Sequence, residues 1–336
     1  MLALLTGVGL LARFVPPDIW WPPTLVALVI PWLLSLTALA TIWLLFQRRW
    51  RAAILPVIVL LLSLSVAGRT FPIGGGAAAE EKSEGLVVLT SNSKSFKDDN
   101  WQKVPRAELV TAFKKHAADV LLLQEVLPLH DKGMRNALKT AGNYRKHFMV
   151  KRKSVAILAH DMTQVGSSFT TYNGFLVADV PTRLGTIRFI SAHLESNRIS
   201  GDVGQIGNSK DVQQELDRAE SMLRSYGRTA RTRAAQAREI KKYIDESPHP
   251  VILGGDLNDV PASYAYQRIR TARMRDAWVE AGTGLGATFT GPLPGLRIDF
   301  LMVDTSLSVS EVELIDTGYS DHLGLRAVLH KRSSDR

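Results

Sequence analysis

The sequence predicts an α+β protein: a four-layer α/β/β/α sandwich, preceded by an N-terminal helical region that spans a membrane. Three observations predict it. Residues 1–71 are strongly apolar and carry only six charged side chains. From residue 86 onward, short β-rich apolar runs alternate with helical patterns, then crowd together at 154–194 and 286–330. Those runs end abruptly in polar residues. Early alternation followed by strand-rich stretches suits two sheets packed face to face with helices outside.

The chain has 336 residues, room for more than one domain at roughly 150 residues each. It has no cysteine, which excludes disulfides and thiolate metal sites. Net charge is +9. Five arginines against Asp18 give residues 1–79 a charge of +4, which leaves +5 for the remainder. That mild excess suits a phosphate-bearing substrate or an anionic surface, and equally an ordinary solvated one.

Three apolar runs come first, predicting helices over 2–15, 24–46 and 52–68. The second has no charge and is long enough to cross ~30 Å of hydrocarbon. The third lies between Arg51 and Arg69. Trp20, Trp21, Trp32, Trp43 and Trp50 fall mostly near run ends, as an interfacial belt would. The first run lacks the basic start and small-residue cleavage site of a signal peptide. The loop "QRRWR" belongs on the cytoplasmic side by the positive-inside rule. Three spans then place the rest of the chain outside the cytoplasm. Residues 1–71 thus form the membrane region, and "PIGGGAAAEEKSEG", 72–85, is a linker. Residues 86–331 are the soluble domain and 332–336 a polar tail.

Within that domain the runs "LVVLTSN", "DVLLLQE", "TIRFISAH" and "PVILGGDLN" read as buried strands ending at Asn92, Glu125, His193 and Asp256 with Asn258. "LRIDFLMV" carries Asp299, and "GYSDHLGL" puts Asp321 and His322 before the last run. Residues 106–119 predict a helix with Leu109, Val110, Phe113 and Ala117 on one face. Residues 230–246 predict another, with Ala234, Ala237, Ile240 and Ile244 inward. The Gly/Ser/Asn-rich stretch 195–211 is a long loop directly after His193, either functional or a plain surface excursion.

If the strand ends gather at one rim, their polar residues form a sulfur-free set of hard donors. Such a set suits Mg²⁺ or Mn²⁺. Crowded carboxylates need a cation or an imidazolium to offset their repulsion. Histidines and amides can donate to a phosphoryl oxygen as its charge grows. The physics points to metal-assisted phosphoester hydrolysis.

The ordered motifs "TSN", "LLLQE", "SAHL", "GGDLND", "RIDFL" and "YSDH" resemble those of the endonuclease/exonuclease/phosphatase superfamily, with its deoxyribonuclease-I-like fold. With the N-terminal spans, the chain is similar to a bacterial membrane-anchored branch seated in the cell's inner membrane. The resemblance implies roles. Glu125 is the principal metal ligand; Asn92 contacts metal or phosphate; Asp321 helps hold the metal. Asp256 positions or deprotonates the attacking water, and Asn258 holds that geometry beside the substrate. His322 contacts the scissile phosphate, oriented by Asp299, and His193 is a second phosphate donor. No acidic partner for His193 is matched in the sequence.

Three functions compete: a phosphoesterase acting on a lipid headgroup, sugar phosphate or nucleotide; a nuclease on DNA or RNA; and a non-catalytic binding module. No protein partner is implied. The basic stretch containing Arg224, Arg228, Arg231, Arg233, Arg238, Lys241 and Lys242 reads best as a solvated helix face, with a nucleic-acid track or membrane-facing surface as alternatives.

Overall fold

The computed structural model describes residues 1–74, 84–98, 100–142, 144–196, 212–291 and 295–332. Most of the predicted linker and loop, at 75–83 and 197–211, and the tail at 333–336 lie outside the described residues.

Four helices open the chain: α1 Leu2–Leu11, α2 Pro22–Ala27, α3 Ile30–Phe46 and α4 Trp50–Thr70. The apolar run expected as one helix over 24–46 is therefore two. Pro31 has no N–H to give to the Ala27 carbonyl, so the helix breaks at Leu28 and Val29 and restarts. Among the described residues one helix, α4, is long and apolar enough to cross a membrane; α1 and α3 are apolar but shorter. Packing in this bundle is inverted relative to a water-soluble one. Thr6, Thr37, Thr41, Ser63 and Thr70 are buried, and the Thr6 and Thr37 hydroxyls meet at 2.8 Å. Large side chains such as Leu39, Ile42, Trp43, Leu61, Leu62 and Leu64 face outward.

The rest of the chain forms two six-stranded sheets. The first holds β1 Leu86–Asn92, β2 Val120–Gln124, β3 Lys146–Phe148, β4 Val155–Ala159, β11 Leu307–Ile315 and β12 Gly324–Lys331. The second holds β5 Thr163–Phe169, β6 Gly174–Thr182, β7 Gly185–His193, β8 Val251–Asp256, β9 Met274–Asp276 and β10 Asp299–Asp304. The first sheet has the order β11-β12-β1-β2-β4-β3, and the second β5-β6-β7-β8-β10-β9. Each sheet is antiparallel except for one central parallel pair, β1 with β2 and β7 with β8. A parallel pair needs a crossover. α5 Arg106–Lys115 lies in the first, and α7 Val212–Asp245 in the second. α6 Lys132–Ala141, α8 Tyr264–Ile269 and α9 Ala277–Ala281 complete the α-helices among the described residues.

The inner faces meet in a core that includes Val88, Leu122, Ile157, Leu176, Phe189, Ile252 and Leu301. Burying each such aliphatic side chain is worth about 1.5–3 kcal/mol. The outer face of the first sheet packs on Leu109 and Phe113 of α5 and Leu138 of α6. α5 stops at Lys115, short of the predicted 119, so Ala117 is exposed rather than inward. The second sheet packs on Ala237, Ile240 and Ile244 of α7, the face the sequence pattern marks.

The N-terminal helices dock on the sandwich. Leu10, Ala27, Ile30 and Leu34 share a cluster with Tyr226 and Ala230 of α7, and with Val260, Ala262 and Ile298. Arg238 pairs with Asp18 at 3.1 Å, and the Arg297 guanidinium donates to the Arg69 carbonyl at 2.7 Å. These contacts gather at the bundle end that carries the α1–α2 connection and the end of α4. The arginine-rich turn at 47–51 is at the other end and exposed.

Candidate active site

Strand register explains how distant residues become neighbours. His193 on β7 stands opposite Asp256 on β8, and Asp256 opposite Asp299 on β10. Directly opposed residues on adjacent strands project from the same face, so these three form a row across the second sheet. In the first sheet Asn92 sits opposite Gln124 at the end of its parallel pair, and Glu125 follows. The two rows face each other at one rim.

Two glycines let them meet. A Cβ at Gly254 would lie 2.7 Å from Leu122 Cδ1 and 2.9 Å from Thr90 Cβ of the opposing sheet. At Gly255, with φ +154°, it would strike the Ala192 carbonyl oxygen at 1.8 Å. The apolar run 251–255 therefore seats a strand in the core and keeps its neighbours close under the site. Glu125 and Asn258, which carry the turns after β2 and β8, hold left-handed φ values of +53° and +50°. Non-glycine residues adopt that region at a cost, and such strain gathers at functional sites.

The contacts centre on Asp256. Its Oδ1 accepts from the Asn258 N–H at 2.8 Å, and its Oδ2 accepts from Asn92 Nδ2 at 3.1 Å. The same Asn92 amide donates to Glu125 Oε1 at 3.3 Å. His193 Nε2 stands 3.7 Å from Asp256 Oδ2 and 3.8 Å from Glu125 Oε1. His322 Nε2 stands 3.9 Å from Asp256 Oδ2, while His322 Nδ1 meets Asp299 Oδ2 at 2.8 Å. Asn258 Nδ2 donates to the Leu194 carbonyl at 3.0 Å, tying the β8 turn to the end of β7. Asp321 differs: its main-chain carbonyl accepts from Thr290 N–H and hydroxyl, and its carboxylate reaches the site only as a charge acting on His322. Among the described residues, the buried His193 Nδ1 has no hydrogen-bond partner.

Titration follows from this crowding. Burial raises the Asp256 carboxyl, Asp299 adds to the effect, and the two histidines oppose it; the result is about 6. Burial alone would lower His322, but Asp299 and then Asp256 outweigh it and push the imidazole up to about 10. At neutral pH His322 is an imidazolium whose Nδ1–H is committed to Asp299 and whose Nε2–H faces the rim.

The donor set fits a divalent cation. Ligand atoms of Asp256, Asp299 and His322 all lie within 4.8 Å of one another. Within that trio, however, His322 is bonded to Asp299 and protonated, and an imidazolium cannot coordinate. Glu125, its side chain 39% exposed, is the carboxylate open to solvent, and the buried Asp256 Oδ2 shares the Asn92 amide with it. Asn92 turns its NH₂ toward both carboxylates while its Oδ1 accepts from the Lys94 N–H at 3.2 Å. In this arrangement it is a donor rather than an oxygen ligand.

Several supporting residues escaped the sequence reading. Thr288 Oγ1 accepts from the N–H groups of Ile298 and Asp299 at 3.1 and 3.0 Å, fixing the start of β10. Ser320 Oγ donates to the Asn92 carbonyl at 2.7 Å and accepts from the His322 N–H at 3.1 Å; its place within "YSDH" was the available signal. Phe289 lies edge-on to His322 at 5.2 Å. Arg233, grouped in the sequence with a basic surface, is fully buried; its Nε donates to Asp259 Oδ2 at 3.2 Å. Arg224, Arg228 and Arg231 of the same stretch are exposed, as a solvated face requires.

Comparison with known proteins adds the following. The model of the endonuclease/exonuclease/phosphatase family matches residues 89–322. A domain of unknown function (DUF8431) matches residues 1–70. No curated protein matches the chain. Similar solved structures include humanized D. rerio TDP2 carrying 14 mutations, with TM-score 0.52 and 18% identity over 74% of this chain and 100% of that one. The endonuclease/exonuclease/phosphatase from Beutenbergia cavernae gives 0.51 and 18%, over 74% of this chain and 72% of that one. The human Nocturnin catalytic domain with bound sulfate gives 0.51 and 15%, over 74% and 94%. At such identities the likeness is one of fold, and the fold is deoxyribonuclease-I-like.

Proposed function

Because the chain belongs to the endonuclease/exonuclease/phosphatase family, we propose that it is a divalent-metal-dependent phosphoester hydrolase, held in a bilayer by residues 1–71 with its catalytic domain, 86–331, on the extracytoplasmic side. Residues 72–85 are the tether in this reading. The observation that carries the hydrolase reading is the surrounding of Asp256 Oδ2. Asn92 Nδ2, His193 Nε2 and His322 Nε2 lie 3.1, 3.7 and 3.9 Å from it, each from a different segment of the chain.

Asp256 is the base that takes the proton of the attacking water. A carboxyl raised to about 6 is ionised at neutral pH yet basic enough to be useful. His322 is the cationic donor: its Nε2–H stabilises charge growing on a phosphoryl oxygen, and Asp299 fixes its orientation. His193 Nε2 and the Asn92 amide are further donors to phosphate. Asn258 holds Asp256 through its N–H and the β7 end through its side chain. Glu125, with Asp256 near it, would hold Mg²⁺ or Mn²⁺, and Asp321 would add its charge nearby. When bound, the ion supplies Lewis-acid charge to the phosphoryl oxygen and lowers the pKa of its water.

The bilayer reading rests on the inverted packing of α1–α4. Hydroxyl-bearing residues at helix contacts, with leucine, isoleucine and tryptophan outside, suit a lipid surround and would be costly in water. The sandwich docks at the bundle end away from Arg48, Arg49 and Arg51, which agrees with those arginines facing the cytoplasm. A reporter fused after residue 336 that works only in the cytoplasm would overturn the orientation.

The test of activity is divalent-dependent hydrolysis by the full chain of lipid, sugar-phosphate, nucleotide, DNA and RNA phosphoesters, with Asp256→Ala as the control. Wild type is expected to hydrolyse at least one class and the variant none. Equal inertness across the panel would favour a binding module.

A further inference from the structure

Behind the rim, α7 grips both catalytic turns. Arg233 Nη1 donates to the Glu195 carbonyl at 3.0 Å, and Gln236, one turn on, accepts from the Glu195 N–H at 2.9 Å. Both main-chain groups of Glu195, two residues after His193, are thus held by one helix face. The Leu194 carbonyl between them accepts from Asn258. The Arg233 Nε bond to Asp259 fixes the residue after Asn258. Arg233, Gln236 and Asp259 are all buried.

The same arginine lies over the Tyr226 ring at 5.6 Å, and Tyr226, itself buried, meets Trp21 of the N-terminal region at 5.9 Å. Trp21 also fills the space beside Gly227, where a Cβ would come within 2.9 Å of its indole. A continuous packed path therefore runs from the α1–α2 connection, through Tyr226 and Arg233, to the turns bearing His193 and Asn258. Discrete packed contacts of this kind can carry coupling between sites.

We propose that Arg233 and Gln236 are positioning residues, and that docking of the N-terminal helices on Tyr226 sets the placement of the His193 and Asn258 turns. The helical region is then part of the catalytic apparatus as well as an anchor. The kinetic half of this inference rests on the hydrolase reading; the structural half does not.

The experiment uses the full chain in detergent micelles. Amide hydrogen exchange and steady-state kinetics are measured for wild type, Trp21→Ala, Gln236→Met and Gln236→Glu. Gln236→Met removes the acceptor for Glu195 N–H, whereas Gln236→Glu keeps one. Exchange at 194–196 and 257–260 is expected to quicken in Trp21→Ala and Gln236→Met, and to stay near wild type in Gln236→Glu. kcat should fall about 10- to 100-fold in the first two, with KM within about twofold, as a small misplacement of reacting groups costs rate rather than binding. If Trp21→Ala fails to fold, the contrast between Gln236→Met and Gln236→Glu decides. Faster exchange confined to the 20–27 and 222–230 segments, or equal kcat for Met and Glu at 236, would overturn the proposal. A wild type inert on every phosphoester would remove the hydrolase reading, while the exchange pattern would still decide the coupling.

Discussion

Replacing Asp299 with asparagine isolates the electrostatics of the rim. In the native site Asp299 Oδ2 accepts from His322 Nδ1 at 2.8 Å, with both side chains buried. Burial lowers the imidazole pKa, and Asp299 is the largest of the charges that reverse this and bring it to about 10. At pH 7.5 the imidazolium is then the prevailing form. Asp299 also contributes, after burial, to raising Asp256 to about 6. The metal-free values are about 6 for Asp256 and about 10 for His322; with Mg²⁺ bound beside Asp256, the acid limb of kcat/KM should lie below about 6 as Asp256 ionises, and the alkaline limb at or below about 10 as His322 loses its proton. In Asp299→Asn both limbs should move to lower pH, because one carboxylate charge has been removed from each neighbour. At pH 7.5 the variant should also lose about 10²–10³ in kcat, the usual cost of one preorganised donor to a developing oxyanion. The assay is a pH series on a chromogenic phosphodiester with saturating Mg²⁺. Limbs that stay in place, or an alkaline limb that moves upward, would refute the assignment of the two groups.

Three other outcomes are expected. Chelation should abolish hydrolysis and Mg²⁺ or Mn²⁺ should restore it, as followed by activity against free metal; full activity in chelator would exclude the hard-ion reading. Metal-free protein should lose melting temperature as pH rises. His322, raised in the fold, stabilises below its ordinary 6.5 and loses this as pH passes about 10. Asp256, also raised, stabilises below its ordinary 3.8 and loses this as pH passes about 6, so Asp256→Asn should flatten the lower window in thermal melts and, by removing a charge that raises His322, move the upper one to lower pH. Gly254→Ala should destabilise by about 1–3 kcal/mol through overpacking against Leu122 and Thr90, read by denaturant unfolding.

Much of the architecture is legible in the chain because parallel strands bury both faces and so read as continuous apolar runs. "LVVLTSN", "DVLLLQE" and "PVILGGD" announce their strands this way, and the polar residue that ends each run marks the rim. The pairing of those ends is less visible. It depends on register between strands such as β1 and β12, whose partners Thr90 and Leu325 are far apart in sequence. The split between α2 and α3 was within reach, since Pro31 lies inside the apolar run. Arg233 was not: a buried arginine among exposed ones has the same letter and the same helical setting, and only Asp259 and Glu195 in space distinguish it. Thr288 likewise carries no local signature for the two N–H groups it receives.

The sheet order also bears on how the molecule is assembled. The second sheet is one unbroken stretch, from Thr163 to Asp304, and can close on itself as the chain emerges. The first cannot, because β12 must return to lie beside β1, and such long-range closure is slow. His322 sits immediately ahead of β12. A nascent chain therefore carries Asp256, Glu125 and its N-terminal helices well before it acquires His322, and the candidate site is complete only with the final strand.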